Sequence, residues 1–66
     1  MSVLKVIEVM ARSEEGWEAA AAKAVKEASK TVKNIQSVYV KDQTAKVTGD
    51  KITEFIVNVK ITFQVG

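Results

Sequence analysis

The last stretch of the chain alternates. Phe55, Val57, Val59, Ile61, Phe63 and Val65 are apolar, and they interleave with Ile56, Asn58, Lys60, Thr62 and Gln64, of which only Ile56 is apolar. Successive side chains on a strand point to opposite faces, so period two over this length fits a half-buried antiparallel strand and no helix. The strand is read from Ile52 to Val65. Any fold of this chain must therefore supply a cover for one long apolar face.

The cover lies upstream. Trp17, Ala20, Ala21, Ala24, Val25, Ala28 and Val32 recur with helical spacing. Ser13 is the expected N-cap. Glu14 and Glu15 follow it at the positive end of the helix dipole, and Lys26, Lys30 and Lys33 fall toward the negative end. A helix of about 18 residues would be roughly 27 Å long. Its stripe is mostly alanine, so it can lie close to a sheet. Trp17 sits on the same stripe and reads as a core or interface anchor.

Two more strands complete the pattern. The first spans Val3 to Met10, with Leu4, Val6 and Met10 on one face and Val3, Ile7 and Val9 on the other. A strand apolar on both faces expects cover on both. The second spans Ile35 to Lys46, with an irregular continuation through Thr48 and a turn at Gly49-Asp50-Lys51. The order is β-α-β-β and the class α+β: a three-stranded antiparallel sheet packed on one helix. The helix returns the chain to its starting end, so the third strand must be central. Ile35, Tyr39 and Ile56 are expected on the sheet's second face, and the unblunted edge strands invite pairing with other copies.

Length sharpens that expectation. Sixty-six residues make one domain, read over 1–66. A domain this small buries only about 60% of its unfolded surface. Small chains are propped by disulfides, metals or partner subunits. No cysteine and no histidine is present, which removes disulfides and the commonest zinc ligands. Partner subunits remain, so an obligate homo-oligomer is expected.

The same absences bear on function. Without a histidine or cysteine there is no usual base or nucleophile, and Ser13 is accounted for by capping, so an enzyme is not expected. Three isolated glycines make no phosphate loop. Net charge is +2 with signs interspersed; Lys23, Lys26, Lys30 and Lys33 share a helix side with Glu27 and read as a solvated face, not a nucleic-acid track. No run approaches the roughly 20 apolar residues of a membrane helix, so no membrane partner and a soluble cytoplasmic protein are expected.

Four stretches taken together resemble the dodecin family across essentially the whole chain. They are Lys5-Val6-Ile7-Glu8-Val9, Ser13-Glu14-Glu15-Gly16-Trp17-Glu18-Ala19-Ala20, Thr31-Val32-Lys33-Asn34-Ile35 and Val59-Lys60-Ile61-Thr62-Phe63. The resemblance implies a hollow dodecamer, four trimers in tetrahedral symmetry, that stores or scavenges flavin (FMN or riboflavin) rather than turning it over. It implies a stacking tryptophan at the start of the second strand and a glutamine on the third. Here Ser37 stands at the tryptophan position and Ile56 at the glutamine position. Gln36, Tyr39 and Asn58 lie near them in sequence and complete the candidate pocket. Ala11-Arg12-Ser13 also departs from the family's usual Gly-Thr-Ser. The alternative is a structural or ion-binding assembly without flavin, in which Asp42, Asp50 and Glu54, repeated by symmetry, offer oxygen ligands to Ca²⁺ or Mg²⁺.

Overall fold

The computed structural model describes residues 3–66. Its elements follow in the order β1 (Val3–Ser13), α1 (Trp17–Ala28), β2 (Ile35–Thr48) and β3 (Lys51–Val65). The sheet order is β1-β3-β2, with both outer strands antiparallel to β3. The alternating strand is thus central, as the return of the chain through the helix requires.

The core sits between β3 and the alanine stripe. Val57, Val59 and Ile61 are fully covered by Ala20, Ala24 and Ala28, with Ile7, Val9, Ala11, Trp17, Ala21 and Ile35 around them. Ala20 to Ala28 climb about 12 Å along the helix, and Val57 to Ile61 span about 13 Å of strand. The two rows therefore match in length, and the small methyl groups let them meet. Trp17 closes one end: its ring meets Phe55 edge-on at 4.9 Å and 76°, and its indole N–H donates to the Thr44 carbonyl at 2.8 Å.

Element ends depart from the sequence reading. β1 runs on past Met10 to Ser13, because its ladder with β3 continues to Ser13↔Phe55. Ser13 is therefore not the N-cap. Gly16 holds that place without a side-chain bond, and Ser13 Oγ instead accepts from the Glu15 N–H at 3.0 Å. The helix has 12 residues, not about 18. The Ser29 hydroxyl donates to the Lys26 carbonyl at 2.7 Å, and the Thr31 hydroxyl reaches the Ala28 carbonyl at 3.5 Å. These bonds compete with continued helix. Asn34 then turns the chain at φ 63°, and its carbonyl accepts from the Gln64 N–H at 3.0 Å.

β2 extends to Thr48 and breaks register three times. The breaks leave Gln36 and Lys41 as extra residues on β2 and Thr53 on β3. The break at Gln36 puts Ile35 opposite Phe63, on the helix side and against the core. That corrects its expected place on the second face. Gly49 opens the hairpin at φ 66°, a left-handed conformation glycine adopts freely.

The molecule measures 52 × 19 × 13 Å with a radius of gyration of 13.6 Å. A compact chain of this length has a radius of about 11 Å. The excess comes from the β2–β3 hairpin, which projects past the helix as an arm.

Candidate ligand face

The ladder fixes what stands on the sheet face away from the helix. Three cross-strand rows run Val6–Thr62–Ser37, Glu8–Lys60–Tyr39 and Met10–Asn58–Asp42, and a fourth joins Arg12, Ile56 and Thr44. Leu4, Val6, Met10 and Tyr39 on this face are 56–69% exposed. No element of the chain covers them among the described residues.

Ser37, Tyr39, Ile56 and Asn58 all stand on this face, as the sequence predicts. Ser37 and Ile56 do not meet within one chain. Ser37 faces Thr62, six residues along β3 from Ile56, which puts them about 20 Å apart. No single flat ring touches both, so a site using the two positions needs two copies. Gln36 is a bulge residue whose amide donates to the Asn34 carbonyl at 3.3 Å, so it is spent on its own loop.

Tyr39 and Asn58 do come together. Tyr39 lies opposite Lys60, which makes Asn58 its diagonal neighbour, about 7 Å away. Tyr39 is the one aromatic side chain on this face among the described residues. Asn58 Oδ1 is buried with no hydrogen-bond partner. An unmet buried acceptor costs about 1–3 kcal/mol, so Asn58 is held in place at some expense to the fold. Glu8 lies beside it. The Asn58 side chain, then the charge of Lys41 and, more weakly, that of Lys60 hold the Glu8 carboxyl below its ordinary range. The Lys41 ammonium is 3.5 Å from Glu8 and straps β2 to β1 across β3.

Flavin itself is a poor fit to the family positions of this face. A flat ring wants a π surface and an amide for its polar edge. Ser37 offers no ring and Ile56 no amide. The pair that supplies both is Tyr39 and Asn58.

The three acids do not converge. Asp42 lies opposite Asn58, Asp50 sits in the hairpin turn, and Glu54 pairs with Arg12 at 3.7 Å. Among the described residues no group of three or more metal-ligating side chains forms. Sequence reasoning missed Glu8 and Lys41, because their meeting depends on a register break that only the pairing with β3 reveals. It also left Met10 outside the pocket; the signal was the alternation of the first strand, which puts Met10 on the face of Leu4 and Val6. No helix is long and apolar enough to cross a membrane.

Comparison with known proteins agrees with the geometry. No curated protein sequence matches. A point mutant of the Thermus thermophilus dodecin superposes with a TM-score of 0.94 at 29% identity, covering 100% of this chain and 98% of the other. The Thermus thermophilus protein tt0972 gives 0.94 at 29% identity, with 100% and 97% coverage. The dodecin from Streptomyces davaonensis gives 0.91 at 22% identity over 98% and 96%, a likeness of fold alone. The family model for Dodecin matches residues 3–66, and the chain therefore belongs to the dodecin family.

Proposed function

We propose that this chain is one domain that assembles into a hollow shell of twelve subunits, four trimers, and there binds and stores a flat small molecule of the flavin kind, FMN or riboflavin. The observation that carries the reading is the uncovered sheet face on which the exposed Tyr39 ring stands beside the Asn58 amide. Tyr39 supplies the π surface and Asn58 the amide, in place of the tryptophan and glutamine that Ser37 and Ile56 replace. The role is holding, not turnover, because the chain has neither histidine nor cysteine to move protons or attack a substrate.

Binding should be weaker than at a tryptophan-lined site. A stack lost outright is worth on the order of 1 kcal/mol, or about fivefold in Kd, and Tyr39 replaces part of it, so about fivefold is the upper bound for one site. For two sites in a pair the bound multiplies to about 25-fold.

Native mass spectrometry with a visible absorbance spectrum, followed by fluorescence titration with riboflavin and FMN, tests the reading. A twelve-subunit mass with flavin quenching that Tyr39→Ala weakens is the expected result. A colourless shell that ignores both flavins would remove the ligand half. A stable monomer would remove the whole.

A further inference from the structure

Arg12 is the one charged side chain lining a recess at the β1 edge of the ligand face. The recess holds about 250 Å³ and is walled by Met10, Ala11, Arg12 and Ile56. Its other walls are apolar: Met10 is 69% exposed, and Ile56 stands directly opposite Arg12 in the ladder. Small-molecule sites span roughly 300–1,000 Å³, so this recess takes the end of a ligand and not the whole of it.

The guanidinium is not spent on its own chain. It stands 3.7 Å from the Glu54 carboxylate, an ion pair too long for a hydrogen bond, and its side chain is 73% exposed. An exposed pair of this kind contributes about 0–1 kcal/mol, so turning toward a ligand costs little. Arginine carries its N–H donors as a rigid planar fork, which suits adjacent acceptors on a flat edge.

Position ties Arg12 to Tyr39 and Asn58. Tyr39 lies diagonally from Asn58 on β2, and Arg12 lies diagonally from it on β1, each about 7 Å away. The three stand on one line across the sheet. A flat ring that stacks on Tyr39 and passes over Asn58 points its far edge at the recess. There Met10, Ala11 and Ile56 donate nothing, and an acceptor buried without a donor is costly. Net charge does not select the ligand. The cations Arg12, Lys41, Lys46 and Lys60 share this face with the anions Glu8, Asp42 and Glu54, and Lys41 is already drawn to Glu8. The selecting feature is the fork of donors at the end of the line.

We propose that Arg12 is a specificity residue that holds the carbonyl-bearing edge of a flat heteroaromatic ligand whose ring stacks on Tyr39. This rests on the ligand half of the function proposed above and narrows it. The ligand is a ring system with adjacent acceptors along one edge, as at the pyrimidinedione end of a flavin. When such a ring takes up two electrons and one proton, the negative charge it gains on that edge meets the guanidinium. Arg12 therefore makes the bound ring easier to reduce.

Riboflavin, which carries no phosphate, is the probe. Fluorescence titration of the wild type, Arg12→Lys and Arg12→Gln should give Kd values rising in that order, by about fivefold at Gln, as for a charged contact at a wet rim. With the bound ring titrated at a poised electrode, its midpoint potential should be lower in Arg12→Gln than in the wild type, a shift that lost packing alone does not produce. An unchanged riboflavin Kd would overturn the role of Arg12, as would a looser Kd at an unchanged potential. Loosening confined to FMN would overturn it too, by placing the guanidinium on the phosphate. Tyr39→Ala separates the two readings: if it weakens riboflavin binding while Arg12→Gln does not, Arg12 alone has failed. A wild type that ignores riboflavin removes the ligand reading and the role of Arg12 with it.

Discussion

Glu8 shows how one residue ties the ligand face to solution conditions. Asn58, then Lys41 and Lys60, hold its carboxyl below the ordinary value of 4.5. A carboxyl depressed in the folded state adds stability that is present above 4.5 and lost as pH falls through the folded value. The melting temperature should therefore drop on acidification below that point, and Glu8→Gln should flatten the part of the drop that Glu8 contributes. An unchanged pH profile in the variant would show that Glu8 carries none of it. Glu27, held down by Lys30, contributes in the same window and remains in the variant. The family positions allow a second test. Ser37→Trp with Ile56→Gln should tighten flavin binding by up to about fivefold per restored stack, read by fluorescence titration. No gain would mean that copies do not bring these positions together. The identities at 37 and 56 are legible in the sequence; their separation of about 20 Å within one chain is not, because it depends on the register breaks in β2.

At the scale of elements, local pattern and tertiary pairing divide the credit. β3 is legible because period two survives in any context that covers one face. The helix is legible as a stripe but not in length, because the apolar spacing continues to Val32 while the backbone bonds tighten to i−3 after Ala28, from the Lys30 N–H to Glu27 and from the Thr31 N–H to Ala28. The bulges at Gln36 and Lys41 leave no mark in β2's composition, since they are properties of its fit to β3. Tight packing of methyl groups on Val57, Val59 and Ile61 makes α1 sensitive to size. Ala24→Leu should cost about 1–3 kcal/mol by overpacking, and Ala22→Leu, on the exposed side, close to nothing. Urea unfolding separates the two, and equal costs would contradict the helix orientation. Trp17→Ala should cost about 3 kcal/mol, since it removes both the edge contact with Phe55 and the bond to the Thr44 carbonyl.

For the whole molecule, shape is the deciding quantity. The expectation of partners comes from length and the missing cysteines, but the sequence does not say where they would dock. The elongation to a radius of 13.6 Å, the hairpin arm and the exposed apolar residues of β2 mark where the chain leaves apolar surface uncovered. If copies of the folded chain cover that surface, folding and association are linked, because each contact binds the folded state and not the unfolded one. The melting temperature should then rise with protein concentration, and the rise should be largest in the range where native mass spectrometry shows the assembly forming. Ile52→Asp should reduce that dependence while leaving the fold at high dilution nearly unchanged, since Ile52 makes no core contact in its own chain. Concentration-independent melting in the wild type would mean that the isolated chain is stable without the contacts its shape leaves open. The exposed apolar residues would then be a tolerated surface rather than an interface.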